Sequence, residues 1–483
     1  MKISYLLPLS LITLAHADLK LPPIIGNHMV LQQKQANPIW GWDDPGTEIT
    51  VTFAGQTQTA KAGKDGRWEV KLEALPASAE PRTMTVKGGS EITVEDILVG
   101  EVWLCSGQSN MQWDINGAYG AELARLAADN PQIRLISVPQ TGTQELKTDF
   151  NGSWQASNAD TAGQFSAVGY YFGKTLHEAL GVPIGLIDNA WGGSSAEAWV
   201  QREVFDADKR FEAYGNAWRQ KEEKIAQAIK AQTEVDQGLA NEMQNQHRPG
   251  NLYAGCLNPV IGYGIQGAIW YQGESNAGRA DQYNDLMTLM ITSWRKDWQQ
   301  GDFPFYFVQL ADFMDETADP VQDGWAALRE AQTRTINEVP NTGQAVIIDI
   351  GAANDIHPRE KREVGERLAR WALAKDYGKQ INYRSPEFKA MEVSGGKAIL
   401  TFDHVGGGLK TADVNGVKGF AICGEDRVWK KANGMIVGKD QIEMTSTEVS
   451  APVAVRYAWS NNPICNILTH EGLPLTPFRT DEF

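Results

Sequence analysis

The chain has 483 residues, of which 42% are hydrophobic and 22% charged, with 47 glycines and 16 tryptophans. That is too long for one ordinary domain and too apolar for disorder, so two or three domains with substantial cores are expected. Sixty acidic against 44 basic residues leave a formal charge of −16, which argues against nucleic-acid and anionic-lipid partners.

Met1-Lys2 is followed by an almost wholly apolar run from Ile3 to Leu14 and by Ala15-His16-Ala17. This reads as an export leader over residues 1–17, cut before Asp18, which directs the protein to the periplasm or the cell exterior. No later run reaches the roughly 18 consecutive apolar residues of a membrane span. Export permits disulfides, yet Cys105, Cys256, Cys423 and Cys465 are too few for a disulfide scaffold. Cys423 and Cys465 could pair, or all four could be buried thiols.

Residues 18–98 read as a small β-domain. Glu48–Phe53 and Trp68–Leu72 are strand-like, and Asp44-Pro-Gly46, Gly63-Lys-Asp-Gly66 and Gly88-Gly89 mark turns. Residues 99–380 change rhythm. Strand-length apolar runs at Val102–Leu104, Ile133–Val138, Ile184–Ile187, Gly267–Tyr271, Phe305–Gln309 and Ala345–Ile350 alternate with helical periodicity. The helical stretches are Ala118–Ala128, Phe165–Leu180, Asp281–Trp298, Trp325–Val339 and Pro358–Lys375. This alternation predicts an α/β core with a parallel sheet between two helical layers, and ligands bind such sheets at the carboxyl ends of the strands. A polar helical insertion, about 209–246, is expected to be a solvated excursion. Residues 381–483 return to β-signals, at Ala398–Phe402 and Val453–Tyr457.

Four loops follow core strands and carry reactive or hydrogen-bonding residues. Cys105-Ser-Gly-Gln-Ser-Asn-Met111 presents a hydroxyl at a strand end, where an incoming helix N-terminus can stabilise an anion. It is not the G-x-S-x-G elbow, because Met111 takes the last glycine position. Asn354-Asp-Ile-His-Pro358 follows the last core strand. Asp355 could hold the His357 Nδ1 proton and leave Nε2 for a nucleophile. Asn189-Ala-Trp-Gly-Gly-Ser-Ser195 supplies a glycine pair, and Tyr271-Gln-Gly-Glu-Ser-Asn276 supplies side-chain amides. Such groups could form an oxyanion hole.

Gly107-Gln-Ser-Asn-Met111, Ala190-Trp-Gly-Gly193, Ile269-Trp-Tyr-Gln-Gly-Glu-Ser-Asn276 and Asp355-Ile-His-Pro358 resemble the motifs of the sialate O-acetylesterase family, carbohydrate esterases of the SGNH-hydrolase fold. The C-terminal Val453–Pro463 and Gly472–Thr480 segments are similar to that family too. The resemblance implies an SGNH, flavodoxin-like three-layer core with flanking β-sandwich-like domains. It further implies Ser109 as nucleophile, His357 as base, and oxyanion donors from Ser109 N, Gly193 N and the Gln272–Asn276 loop. The general SGNH pattern has Asp where Gln108 stands and Asp where Asn354 stands. Asp355 is therefore the first choice to orient His357, with Glu274 as its rival. Gln272 is preferred over Asn276 as the side-chain donor.

The reaction so implied is acyl transfer. Ser109 attacks an acetyl ester, and water, the second substrate, releases acetate; no metal or cofactor is required. Trp113, Trp191 and Trp270, with Trp199 beside them, could stack on sugar faces, and Arg279 could meet an acidic sugar. Arg359 and Arg362 are further cations near the motifs. An O-acetylated sialic acid is the leading substrate, and acetylated xylan or xyloglucan is the alternative. Two rivals use other chemistry: a non-catalytic glycan-binding protein, and a retaining glycosidase built on Glu274 and a second carboxylate.

Overall fold

The computed structural model describes residues 18–320, 324–413 and 416–483, so the export leader expected over residues 1–17 lies outside the described residues. The central sheet runs, edge to edge, Thr342–Ala345, Phe305–Val308, Gly267–Tyr271, Glu91–Gly107, Ile184–Ala190, Asn130–Ser137 and Gln155–Ser157. Every pair is parallel except the last, where Gln155–Ser157 closes the edge antiparallel. The chain builds one side of the sheet through Ile184–Ala190 and then crosses to the other with Gly267–Tyr271. The strand Glu91–Gly107 lies between those two, at the switch in strand order where α/β sheets open a crevice.

Helices Ala167–Leu180 and Lys361–Lys375 pack together on one face of the sheet, and Ala280–Trp298 and Gly324–Glu338 on the other. Glu91–Gly107 is also the seam to the N-terminal strands. It is 17 residues long. Its first half pairs antiparallel with Ser78–Lys87 and parallel with Val30–Gln32. Its second half, buried on both faces, continues into the central sheet. The position between residues 98 and 99, where composition changes, therefore falls inside one continuous strand.

Five of the six expected core strands lie where the apolar runs put them. The sixth does not: the strand is Thr342–Ala345, and Val346–Ile350 continues beyond it as irregular chain. Val346 and Ile348 leave the sheet to join the C-terminal core beside Leu400, Ile442 and Tyr457. An apolar run serving two cores reads in sequence like one longer strand. In the C-terminal region, Glu387–Ser394, Lys397–Asp403, Gln441–Thr445 and Asn433–Val437 form one four-stranded sheet. The buried Arg329 of the helix Gly324–Glu338 donates to the carbonyls of Ser460 and Asn461, tying the C-terminal region down. All four cysteines are free thiols, so Cys423 and Cys465 are not paired.

Trp270 shows what the core demands. It is wholly buried and meets Trp199 and Trp294 edge-on, at centroid distances of 5.8 and 5.7 Å. Trp270→Ala should cost about 3–5 kcal/mol of unfolding free energy, read as a lower denaturation midpoint at unchanged slope.

Candidate active site

The strand Glu91–Gly107 ends on a glycine for a steric reason. Gly107 has φ +139°, and a Cβ there would lie 2.2 Å from the carbonyl oxygen of Tyr271 on the neighbouring strand. Gln108 N–H then donates to that same carbonyl at 2.9 Å. The chain turns directly into the short helix Ser109–Gln112, with Ser109 as its first residue. The Ser109 N–H thus has no partner within the helix, as first-turn amides do not, and it meets no other acceptor among the described residues.

Ser109 Oγ lies 2.8 Å from His357 Nε2, across 248 positions of sequence. His357 sits in the loop after the last core strand, half-buried, with its ring stacked on Trp113 at 5.1 Å and 22°. Asp355 Oδ1 accepts the His357 backbone N–H at 2.9 Å. The same oxygen is 3.7 Å from Nδ1, a charge contact longer than a hydrogen bond. Burial, and then the Lys361 ammonium, hold the imidazole below its ordinary range, with Asp355 opposing them. A neutral ring with Nε2 directed at a serine hydroxyl can take its proton.

The Trp191–Ser194 turn forms the facing wall. Ser194 N–H closes it on Trp191 O at 3.1 Å, and Gly193 takes φ +71°. Gly192 N–H donates to Gln112 Oε1 at 2.7 Å, and Ser275 Oγ–H donates to Gly193 O at 2.8 Å. A Cβ on Gly192 would lie only 3.4 Å from Ser109 Cβ, so the turn is packed against the serine. The Gly193 N–H meets no acceptor among the described residues. Open N–H groups therefore stand on both of these segments, at Ser109 and at Gly193.

The Gln272–Asn276 loop braces this wall. Both Gln272 amide hydrogens are engaged, by Ser194 O at 3.0 Å and Asn276 Oδ1 at 2.7 Å. Asn276 Nδ2 donates to Glu197 Oε2 at 2.9 Å, and its Oδ1 also accepts from Ala196 N–H. The expectation that Gln272 is the side-chain oxyanion donor is corrected accordingly: a fully buried amide pairs with the groups around it, and both its hydrogens are spent on the wall it holds.

Glu274 does not reach His357 either. Its Oε1 accepts from Asn110 Nδ2 at 2.6 Å, while its Oε2 is enclosed with no hydrogen-bond partner among the described residues. Burial pushes its carboxyl upward. Of the two acids considered as orienter, Asp355 is the one beside Nδ1.

The aromatic and cationic candidates separate in the same way. Trp113 backs the imidazole, and Trp191 is half-buried on the glycine turn. Trp270 and Trp199 are core residues that no sugar can touch, because side chains alternate along a strand and Trp270 points away from the cleft. The Arg279 guanidinium is held by the buried Glu197 at 3.0 Å and lies over the Tyr214 ring at 4.7 Å, so it is a brace for the wall.

Sequence reasoning missed three participants: Asn110, Gln112 and Lys361. Lys361 stands four residues after His357 at the start of a helix, a spacing visible in the sequence, but nothing there marks it as buried. The insertion also does more than expected. Its helix Glu212–Ala231 is largely exposed, yet the segment that follows returns to the site. Gln246 O accepts from Ser195 N–H at 3.2 Å, and His247 Nδ1 lies 2.8 Å from Ser195 Oγ.

A family model described as carbohydrate esterase, sialic acid-specific acetylesterase, matches residues 99–374. Over 94% of its length the chain is 30% identical to the sialate O-acetylesterase of Mus musculus, of which the match spans 93%. It is likewise 30% identical to that of Homo sapiens, spanning 91% of that protein. The fold superposes on the crystal structure of a carbohydrate acetylesterase from Xanthomonas citri with a TM-score of 0.84 and 38% identity. That match covers 96% of this chain and all of the other.

Proposed function

Because the chain belongs to the sialic acid-specific acetylesterase family of carbohydrate esterases, we propose that it removes O-acetyl groups from sialic acids outside the cytoplasm, using Ser109 and His357. The enzyme is a carboxylic ester hydrolase. The single observation that carries the residue assignment is the 2.8 Å contact between Ser109 Oγ and His357 Nε2.

In the proposed reaction, His357 takes the Ser109 proton as Oγ attacks the acetyl carbonyl. The Ser109 and Gly193 N–H groups hold the developing oxyanion. The intermediate collapses, His357 returns the proton to the departing sugar oxygen, and an acetyl-serine remains. Water, deprotonated by the same imidazole, attacks that ester, and acetate leaves as Ser109 regains its proton. Asp355 stabilises the imidazolium formed in each half-reaction.

A second substrate class has its own support. The solved relative at 38% identity is described only as a carbohydrate acetylesterase, and the Arg279 charge is offset by its pairing with the buried Glu197, which weakens its call on an acidic sugar. An acetylated neutral polysaccharide such as xylan is that alternative. The deciding measurement is acetate release from an O-acetylated sialic acid and from acetylated xylan oligomers at equal concentration. The sialate reading expects kcat/KM to favour the first by at least about tenfold, a difference of about 1.4 kcal/mol in transition-state binding. Preference for the xylan oligomers would overturn it.

A further inference from the structure

We propose that Lys361 is a positioning residue of this esterase: through Asn110 it locks the nucleophile turn to the histidine loop, and it sets its ammonium over the Trp113 ring that backs His357. The inference rests on the reading of Ser109 and His357 as nucleophile and base.

Lys361 opens the helix Lys361–Lys375 and is 1% exposed. A lysine so enclosed needs partners for its ammonium. Nζ donates to Asn110 Oδ1 and lies over the rings of Tyr271 and Trp113, at 5.4 and 5.9 Å. Asn110 immediately follows the nucleophile. Its Nδ2 donates to Glu274 Oε1 at 2.6 Å and to Ile356 O, next to His357, at 2.9 Å. One amide thus joins the nucleophile turn, the Glu274 loop, the histidine loop and the helix carrying Lys361. A buried polar network with so many partners holds a single arrangement of the groups it connects.

The charges facing His357 are Lys361 and Asp355, of opposite effect, and those facing Lys361 are Glu274 and Asp355. Burial brings Lys361 down to about 7, against the pull of both carboxylates. Acidification therefore completes the charge on Lys361. Once charged, it opposes a second positive charge on the imidazole. The effect strengthens over the range in which an ordinary histidine would cease to act as a base.

The test pairs the pH dependence of kcat/KM on an aryl acetate with the titration of the His357 ring carbon by NMR in the resting protein. Lys361→Gln keeps a donor toward Asn110 without the charge, Lys361→Met removes both, and Lys361→Arg keeps a cation. The expected result is that the acidic limb and the ring titration rise together by about one pH unit in Lys361→Gln and Lys361→Met. In Lys361→Arg both should stay close to wild type. Unchanged limbs and titrations in both neutral variants would overturn the proposal. Should those variants fail to fold, the wild type decides: its His357 must titrate below the ordinary 6.5, and a value at or above that overturns the proposal. Loss of the underlying reading looks different, since wild type would then release no acetate while the ring titration still reports on Lys361.

Discussion

Ser109→Ala should lower turnover of an aryl acetate by on the order of 10⁴–10⁶-fold while leaving the denaturation midpoint unchanged. The hydroxyl lies 2.8 Å from His357 Nε2 on a short helical turn whose N–H is open. Its removal deletes the atom that forms the acyl-enzyme and leaves the surrounding backbone as it was. Mass spectrometry after brief exposure to the aryl acetate gives the complementary readout. Wild type should carry a transient acetyl adduct on Ser109, and the variant none. Full activity in Ser109→Ala would remove the nucleophile assignment, and inertness of wild type on every acetyl ester would leave the non-catalytic glycan-binding reading.

Asp355→Asn and Glu274→Gln should divide kinetics from stability. Asp355 lies 3.7 Å from His357 Nδ1 and is anchored by the His357 backbone N–H. Losing its charge removes the stabilisation of the imidazolium, so kcat should fall on the order of 10²–10⁴-fold with KM nearly constant. Glu274 faces Asn110 and lies on the Lys361 side of the network. Its neutralisation should cost about 1–3 kcal/mol of stability, as one partner in a buried polar network is weakened, with the smaller loss in kcat. A crippled Glu274→Gln beside a near-normal Asp355→Asn would reverse the assignment. Steady-state kinetics and urea denaturation on the two variants read both quantities.

The aromatic candidates show how far the linear pattern carried. Trp113, Trp191 and Trp270 all lie in or beside motif loops, and proximity in sequence made them equal. Trp270, however, is one position before the end of a strand whose neighbours are buried on both faces. In such a strand both sets of alternating side chains are apolar, so alternation does not reveal which set faces a cleft. The same limit applies to Gln272, Asn276 and Arg279. Each is a polar residue in a loop with the right chemistry, and each proves to be held by groups distant in the chain: Ser194, Glu197 and Tyr214.

The sequence by itself determined the α/β alternation, five of the six core strands, and the four loops at strand ends that carry Ser109, the glycine turn, the Gln272–Asn276 segment and His357. Strand and helix periods are local, and turn residues mark where strands end, so these features are written in short windows of the chain. Tertiary structure alone decided the partners. It put Ser109 against His357 across 248 positions, carried one strand from the N-terminal sheet into the catalytic sheet, and enclosed Lys361 behind Asn110. Hydrogen-bond direction and burial depend on which distant segments meet, and spacing along the chain holds no record of that. The acidic composition argued against nucleic acid from the outset; which amides brace the wall could be read only once the sheet had closed around them.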